Sequence, residues 1–247
     1  MVRPMRERYE PFHPDLFGLP DDCLDAAFLA AISDGRPEAL DALVDRPHPG
    51  IVTFPLFSSR FCQALVAEAR RFEGWCAVRG IEPSRPNSMN AYGAVLAEMG
   101  LESLAERLLE WLAPLAARYF APHGGDTLDA QHTFLVEYAR DGDLDLGFHV
   151  DDSEVTLNAC LGDVFDGGEV YFEGVRCAEH RQTRTRASES YELVHRVGHA
   201  ALHAGAHRHG VRMLIEGRRT NLIAWFRSSG VRLDREGCEP WCALHPG

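Results

Sequence analysis

The spacing of apolar positions divides the chain into two unlike halves. In the first half, apolar residues recur at helical intervals in the segments 20–33, 58–72 and 100–120, which we predict to be helices. Ser58, at the start of the second segment, is a residue type that caps helix N-termini with its side-chain oxygen. An apolar stripe on a helix is typical of a face that packs on a core, so these helices are predicted to cover another layer.

In the second half the apolar period shortens to two residues, which is typical of β-strands because alternate side chains point to opposite faces. Glycine-containing pairs separate the short runs. About eight strands within roughly 100 residues match the strand count of a jelly roll. We therefore predict an α+β fold, a β-barrel or sandwich with the helices packed on one sheet. The predicted strands are 132–138, 148–150, 154–161, 169–172, 191–197, 199–203, 209–215 and 219–227.

The composition excludes several classes of function. All 25 basic residues are arginine, so chemistry that depends on a lysine amine, such as Schiff-base formation or a phosphate-loop lysine, is excluded. The net charge of −12 disfavours a nucleic-acid partner, because holding a phosphate backbone requires a concentrated basic face. No stretch approaches the roughly 18 consecutive apolar residues that cross a membrane, so no membrane partner is expected.

The seven cysteines are scattered along a chain whose N-terminal residues lack the apolar run of a secretory signal. This pattern predicts reduced thiols and a cytoplasmic location, because disulfides persist mainly in oxidising compartments. Only Cys238 and Cys242, followed by His245, lie close together in the sequence. A structural zinc site needs four ligands and the sequence does not indicate the fourth, so metal binding by this group stays open.

The strand half carries eight of the 12 histidines. Two histidines and one carboxylate on one face of a metal are the ligand set of non-haem Fe(II) oxygenases. Its local signature is His-x-Asp, because residues i and i+2 of a strand point to the same side. One match, at 13–15, lies in a proline-bounded leader and is interpreted as a surface loop. The other, His149 and Asp151, precedes the clearest alternating segment, so these two residues are the predicted metal ligands.

The second histidine ligand has two candidates, His207 and His209. They are two residues apart and point to the same side of a strand, so strand alternation does not separate them. The remaining histidines of the neighbouring strands, His195, His199 and His203, are interpreted as packing or surface residues.

Spacing to an arginine favours His209. The segments 209–215 and 219–227 are predicted to form a hairpin across a three-residue loop that contains glycine, and this register places His209 and Arg219 on one face. Arginine suits an organic acid because its planar fork matches a carboxylate in two hydrogen bonds. Arg219 is therefore the predicted carboxylate anchor, and Arg218 is predicted to point away.

These segments resemble the iron(II)- and 2-oxoglutarate-dependent oxygenases of the prolyl 4-hydroxylase and lysyl hydroxylase type. The likeness is strongest to the subgroup called 2-oxoglutarate and iron-dependent oxygenase domain-containing protein 2. It spans most of residues 50–229 and fades on either side. It is carried by Tyr138, by LDLGFHVDDSEVTLNACLG (144–162), FDGGEVYF (165–172), GHAALHAGAHRHGV (198–211) and EGRRTNLIAWFRSS (216–229), and by RPNSMNAYG (85–93).

The resemblance implies a double-stranded β-helix, the jelly-roll barrel of these enzymes. It implies that Fe(II) is held by His149, Asp151 and His209 and that Arg219 binds 2-oxoglutarate, the cosubstrate. It also implies ascorbate as an accessory cofactor.

Tyr138 and Asn158 are predicted to hydrogen-bond 2-oxoglutarate or the substrate. The alternative is that these polar side chains satisfy other polar groups inside the barrel. The chain departs from the prolyl 4-hydroxylase pattern at Leu146, where those enzymes carry a tyrosine.

We predict an N-terminal helical extension (1–49), an oxygenase domain (50–229) and a C-terminal tail (230–247). Within the oxygenase domain, 50–125 is predicted as helical support and 130–229 as the jelly-roll core. The expected function is a dioxygenase that uses O2 to hydroxylate a C–H bond, of a peptidyl side chain in a peptide or protein substrate, with release of succinate and CO2. The alternatives are a small-molecule hydroxylase of a biosynthetic pathway and a cupin-like metal-binding protein without oxygenase activity.

Overall fold

A computed structural model describes residues 9, 11–14, 16, 22–162, 164–233 and 237–245. As predicted, the long helices lie in the first half of this part of the chain. Among the helices of the described residues, none combines the length and the hydrophobicity that a membrane span needs. The helices are α1 (Ala26–Asp34), α2 (Pro37–Leu43), α3 (Ser59–Arg79), α4 (Glu102–Phe120) and α5 (Ser229–Leu233).

Local capping explains where the helices begin and end. α1 begins after Asp25, whose side chain accepts a hydrogen bond from a first-turn amide at 2.8 Å. It is shorter than the predicted segment 20–33, the first two residues of which lie outside the described part. α3 begins after Ser58 as predicted, and Ser58 Oγ accepts a first-turn amide at 3.2 Å. α3 continues past residue 72 to Arg79, where Gly80 ends it with a φ of 64°.

The described residues form eleven strands, three more than the sequence predicts. The additional strands are β1, β2 and β6, which are short and lack a clear alternation. The strands are β1 (Asp45–His48), β2 (Ile51–Pro55), β3 (Ala130–Ala139), β4 (Leu146–His149), β5 (Val155–Gly162), β6 (Phe165–Gly167), β7 (Val170–Val175), β8 (Ser190–Leu193), β9 (His199–Ala204), β10 (His207–Val211) and β11 (Leu214–Arg227).

These strands form two antiparallel sheets. The larger sheet has the order β1-β2-β9-β5-β11-β3 with β6 paired to β11, and the smaller has the order β4-β10-β7-β8. Apolar side chains of both sheets meet in one buried cluster that includes Phe134, Phe172 and Val211. A second cluster packs α3 and α4 on the other face of the larger sheet, through residues such as Leu65 and Leu108. The predicted α+β jelly roll with helices on one sheet is therefore confirmed.

The predicted hairpin between 209–215 and 219–227 is wrong. β10 lies in the smaller sheet and β11 in the larger, so the chain crosses from one sheet to the other between them. The predicted turn lies inside β11, where Gly217 has a φ of 83° and an added Cβ would collide with the Val164 carbonyl. Glycine is needed here for a close approach of two backbones, not for a hairpin turn.

Candidate active site

A cavity opens at the end of the barrel, between the two sheets. Its walls include His149 and His209 from the smaller sheet and Tyr138 and Arg219 from the larger, with Asp151 following β4. His209 and Arg219 therefore share a cavity from opposite sheets, although not through the predicted hairpin. Barrel mouths are common places for binding sites, because strands from several directions aim side chains at one space.

His149, Asp151 and His209 come together at one end of this cavity. β4 and β10 pair so that His149 lies directly opposite His209. The Asp151 amide donates to the Gly205 carbonyl at 3.0 Å, which turns its carboxylate toward both rings. His149 Nε2 lies 3.4 Å from Asp151 Oδ1, and His209 Nε2 lies 3.6 Å from Asp151 Oδ2. One donor atom from each of the three residues falls within 4.8 Å of the others.

Both imidazoles are oriented by backbone carbonyls. His149 Nδ1 donates to the Gly147 carbonyl at 2.8 Å, and His209 Nδ1 donates to the His207 carbonyl at 2.8 Å. A ring that donates from Nδ1 keeps the Nε2 lone pair free for a metal. Metal-bound histidines usually donate their other ring N–H to a carbonyl or carboxylate in this way. In both rings the free Nε2 faces Asp151.

The carboxylate of Asp151 is oriented by a neighbouring strand. Thr156 Oγ1 donates to Asp151 Oδ2 at 2.7 Å, and Ser153 Oγ lies 2.7 Å from the Thr156 hydroxyl. Burial acts to raise the pKa of Asp151, but its interactions with the imidazoles of His209 and His149 lower the pKa below its ordinary value. Asp151 is therefore ionised near neutral pH, which is the form that binds a metal.

The two histidines differ in their proton affinity. Burial lowers the pKa of His209 to about 3, so its ring is neutral near neutral pH. Burial also acts to lower the pKa of His149, but the hydrogen bond and charge of Asp151 raise it above its ordinary value. Two imidazole nitrogens and one carboxylate on one side of a shared point form the facial ligand set of non-haem Fe(II), so the donor set fits that ion.

Arg219 is a buried cation in the same cavity. Its side chain is 1% exposed and its guanidinium donates to the Gly168 carbonyl. The guanidinium carbon lies 4.4 Å from the centre of the Tyr138 ring, which provides a cation–π contact. No carboxylate within the described residues forms an ion pair with Arg219, and its Nε has no hydrogen-bond partner there. A buried charge requires a compensating partner, so this geometry fits the far carboxylate of 2-oxoglutarate.

Tyr138 and Asn158 both line the cavity, but each has a polar neighbour of its own. The Tyr138 hydroxyl accepts a hydrogen bond from the Asn90 amide at 3.4 Å, and Tyr138 is 2% exposed. Asn158 Oδ1 accepts a hydrogen bond from the Asn221 amide at 2.6 Å. Tyr138 pairs with Arg219 in the register of β3 and β11, which brings the guanidinium over the phenol ring. Leu146 also lines the cavity and contributes an apolar surface.

His203 is closer to the site than the sequence indicates. His203 is fully buried, which fits the predicted packing role, but it also lines the cavity, with Nε2 3.9 Å from Asp151 Oδ2. Its Nδ1 donates to the Ala204 carbonyl at 3.0 Å. His203 pairs with Thr156 across β9 and β5, so both flank the carboxylate. Nothing local in the sequence distinguishes His203 from its neighbours.

The competing ligand candidate, His207, lies outside the triad. Its ring packs 4.8 Å from the ring of Phe172, and its backbone carbonyl, not its imidazole, contacts His209. β10 carries an irregularity between His207 and His209, so the two side chains do not follow simple strand alternation. The other His-x-Asp match, at 13–15, includes a residue outside the described part.

Comparison with known proteins shows what this chain is similar to. A family model described as an OGFOD2-like domain matches residues 5–125. This match begins nearer the N-terminus than residues 50–229, the range of the motifs in the sequence analysis. Among solved structures, the chain is similar to a prolyl hydroxylase in complex with a hypoxia inducible factor oxygen degradation domain peptide fragment from Trichoplax adhaerens. The two structures superpose with a TM-score of 0.54 at 12% sequence identity. That alignment covers 88% of this chain and 100% of the other, and it shows a common fold.

Two curated relatives align with nearly the whole chain. The 2-oxoglutarate and iron-dependent oxygenase domain-containing protein CP2 of Arabidopsis thaliana is 44% identical over 239 residues, which are 95% of this chain and 61% of that protein. The human 2-oxoglutarate and iron-dependent oxygenase domain-containing protein 2 is 39% identical over 251 residues, 96% of this chain and 67% of that protein. The chain thus spans about three fifths of the Arabidopsis relative and two thirds of the human one. Identity at this level along nearly the whole chain shows that the protein belongs to the family of 2-oxoglutarate and iron-dependent oxygenase domain-containing protein 2.

Proposed function

We propose that the protein is an Fe(II)- and 2-oxoglutarate-dependent dioxygenase that hydroxylates a C–H bond of its substrate. The observation that carries the proposal is the combination, in one cavity, of the His149–Asp151–His209 triad and the buried guanidinium of Arg219. A metal triad alone would also suit a cupin-like binding protein. The cupin-like alternative does not explain why Arg219 is buried without a carboxylate partner in the described part of the chain, because an unpaired buried charge lowers stability.

Each side chain has a defined task in this reaction. His149, Asp151 and His209 would hold Fe(II), and Arg219 would hold the far carboxylate of 2-oxoglutarate beside Tyr138. Bound iron and 2-oxoglutarate supply the O2 activation that hydroxylates a C–H bond and converts 2-oxoglutarate to succinate and CO2. Apolar side chains that include Phe134 line part of the cavity, and a low water content there would strengthen the ion pair between Arg219 and the diacid.

For the substrate we propose a peptidyl side chain, as in prolyl and lysyl hydroxylases. The support is the peptide in the structurally similar prolyl hydroxylase, together with the loop 87–90, which lines the cavity and exposes 45% of Met89. An exposed thioether at a cavity rim suits an extended chain of variable sequence. Ascorbate as an accessory cofactor and a cytoplasmic location remain predictions.

The test is to incubate the purified protein with Fe(II), 2-oxoglutarate and O2, and to offer cell-lysate peptides and metabolites as separate pools. We expect succinate formation that depends on 2-oxoglutarate, and a mass gain of one oxygen atom in a peptide. An oxygen gain confined to metabolites would replace the peptide substrate with a small molecule. Failure to consume 2-oxoglutarate with any pool and with bound Fe(II) would reject the dioxygenase and leave the metal-binding alternative.

Removing the hydroxyl of Thr156 is expected to weaken iron binding while preserving the fold. In Thr156→Val the shape is retained but Asp151 loses its donor at 2.7 Å, so the carboxylate is less well oriented. Loss of a group that hydrogen-bonds to a metal ligand typically lowers metal affinity by about 10–100-fold. Thr156→Ser, which keeps the hydroxyl, is the control and should bind Fe(II) nearly as the parent does. Equal Fe(II) affinity in both variants, measured by anaerobic titration, would show that Thr156 has no orienting role.

A further inference from the structure

A second cluster of metal-binding residue types lies outside the active-site cavity. It joins the loop that follows β7 to the C-terminal segment and consists of Cys177, His180, Cys238 and Cys242, whose ligand atoms all lie within 4.8 Å of one another. Cys177 and Cys242 are 2% and 4% exposed. The sequence indicated only Cys238 and Cys242, with His245 as a third candidate. The structure adds Cys177 and His180 instead, and His245 is not among the four converging side chains.

The distances in this cluster match those around a tetrahedral zinc ion. Zinc with Zn–S bonds of about 2.3 Å and Zn–N bonds of about 2.0–2.1 Å places two sulfurs about 3.8 Å apart, and a sulfur and a nitrogen about 3.6 Å apart. The Cys177 and Cys238 sulfurs are 3.7 Å apart. His180 Nδ1 lies 3.2 Å from the sulfur of Cys177, 3.5 Å from that of Cys238 and 3.6 Å from that of Cys242.

Hydrogen bonding alone does not account for this arrangement. One ring nitrogen carries either one hydrogen or one lone pair, so His180 Nδ1 makes at most one good hydrogen bond to the three sulfurs around it. A disulfide does not account for it either, because bonded sulfurs lie about 2.05 Å apart and three thiols leave one unpaired. A shared cation at the centre satisfies all four groups at once.

Two short turns build the cluster from two segments that are distant in the sequence. His180 in the first segment and Cys238 in the second are 58 residues apart. The His180 amide donates to the Cys177 carbonyl at 3.1 Å, in the 3-10 turn Ala178–His180, which brings both side chains to one side. The Cys242 amide donates to the Glu239 carbonyl at 2.9 Å, which curls the chain between Cys238 and Cys242. The resulting C-x2-H and C-x3-C pairs have the close ligand spacing of structural zinc sites.

We propose that Cys177, His180, Cys238 and Cys242 bind one structural zinc ion. Four protein ligands of the Cys3His type leave no position open for a substrate, so the ion has a structural role and not a catalytic one. Binding anchors the C-terminal segment 237–245 to the loop after β7. Because the ligand geometry exists only in the folded chain, zinc binding adds to folding stability.

The chain beyond the cluster runs close to two residues of the active-site cavity. Arg181, the residue after His180, lines a surface depression together with Asp151 and Asp152. The loop beyond Arg181 is held to the barrel by Arg208, a buried residue that donates to the Thr183 carbonyl at 2.6 Å. Zinc at the start of this loop would therefore hold Arg181 beside Asp151 and Asp152.

The first experiment measures zinc per chain by inductively coupled plasma mass spectrometry. To separate the two metal sites, it uses the variant H149A/D151A, which lacks two ligands of the triad. We expect about one zinc per chain in this variant and a loss of that zinc when Cys242→Ala is added. Cys76→Ala, which removes a buried cysteine of α3 outside the cluster, is the matched control and should retain the zinc.

The second experiment uses the wild-type chain and does not depend on the folding of a variant. Titration with an organomercurial should release one zinc per chain, detected with a chromophoric chelator, as three thiols react. Replacement of zinc by Co(II) should give thiolate-to-cobalt charge-transfer bands and the intense visible bands of a tetrahedral site. Loss of zinc should lower Tm by roughly 5–10 °C, the size expected when a metal cross-link is removed from a chain of this length.

Several results would overturn the proposal. Zinc content unaffected by Cys242→Ala, or no metal in protein prepared with zinc present throughout, would reject the site. A disulfide between Cys177 and Cys238 in freshly prepared, metal-free protein would assign the cluster to redox chemistry instead. None of these outcomes depends on oxygenase activity, so they are independent of the proposed function.

Discussion

Replacing Asp151 with alanine is expected to reduce 2-oxoglutarate turnover to below about one hundredth of the parent rate. Asp151 is the one carboxylate of the triad, and its oxygens lie 3.4 and 3.6 Å from the Nε2 atoms of His149 and His209. Alanine leaves two neutral nitrogens, which hold Fe(II) weakly because the charge that balances the ion is lost. Succinate formation, measured with saturating Fe(II) and 2-oxoglutarate, is the readout.

The neighbouring carboxylate provides the matched control. Asp152 is an exposed residue that pairs with Arg227 and Arg232 at the surface, at 2.7 Å each. Asp152→Ala removes the same charge one residue away, so it should retain most of the turnover, because exposed ion pairs contribute little to stability. Undiminished succinate formation in Asp151→Ala would remove this residue from the metal site.

Arg219→Met is expected to weaken 2-oxoglutarate binding strongly. Methionine keeps much of the side-chain volume but removes the buried guanidinium, which would leave the far carboxylate of the diacid without its partner. Truncating one side of a buried, hydrogen-bonded charge pair costs about 2–5 kcal/mol, which corresponds to roughly 30-fold to several thousand-fold in Kd. Anaerobic calorimetric titration of 2-oxoglutarate into the metal-loaded protein measures the change.

Arg218→Met is the control for this experiment. Arg218 is adjacent in β11 but lies on the other face, as predicted, where its guanidinium pairs with Glu137 and Asp141. Loss of this partly exposed network should change 2-oxoglutarate affinity by less than about threefold. If Arg219→Met bound 2-oxoglutarate as tightly as Arg218→Met, the anchor would have to be another residue of the cavity.

The pair His149 and Asp151 illustrates what local patterns can reveal. Their two-residue spacing and the alternating segment that follows were sufficient to select them over the match at 13–15, and they meet His209 in the folded chain. The overall architecture was equally accessible, because the change from helical to strand periodicity near residue 130 separates the covering helices from the barrel. Such features depend on backbone geometry over a few neighbouring residues. Asp151 itself lies just beyond β4, and the hydrogen bond from its amide to the Gly205 carbonyl orients it instead of strand alternation.

His209 and Arg219 line one cavity, but not for the reason that their spacing suggests. Their spacing was attributed to a hairpin, whereas the chain passes from one sheet to the other between them. Gly217 resembles a turn residue in sequence but serves a close backbone contact with Val164. Glycine patterns do not distinguish these two uses, because both require the absence of a side chain.

The four-residue cluster around His180 and the position of His203 were not accessible from sequence patterns. Cys177 and Cys238 are 61 residues apart, and His203 reaches Asp151 only because β9 pairs with β5. Which strands become neighbours depends on how whole sheets close and pack, and that is a property of the complete chain.

Periodicity, capping residues and short motif spacing thus established the element types, the barrel class and the metal-ligand candidates, because these follow from geometry within a few residues. Sheet order, the burial of Arg219 and the convergence of Cys177, His180, Cys238 and Cys242 follow from long-range packing. Distant segments meet according to the free energy of burying whole faces, and no local pattern contains that information.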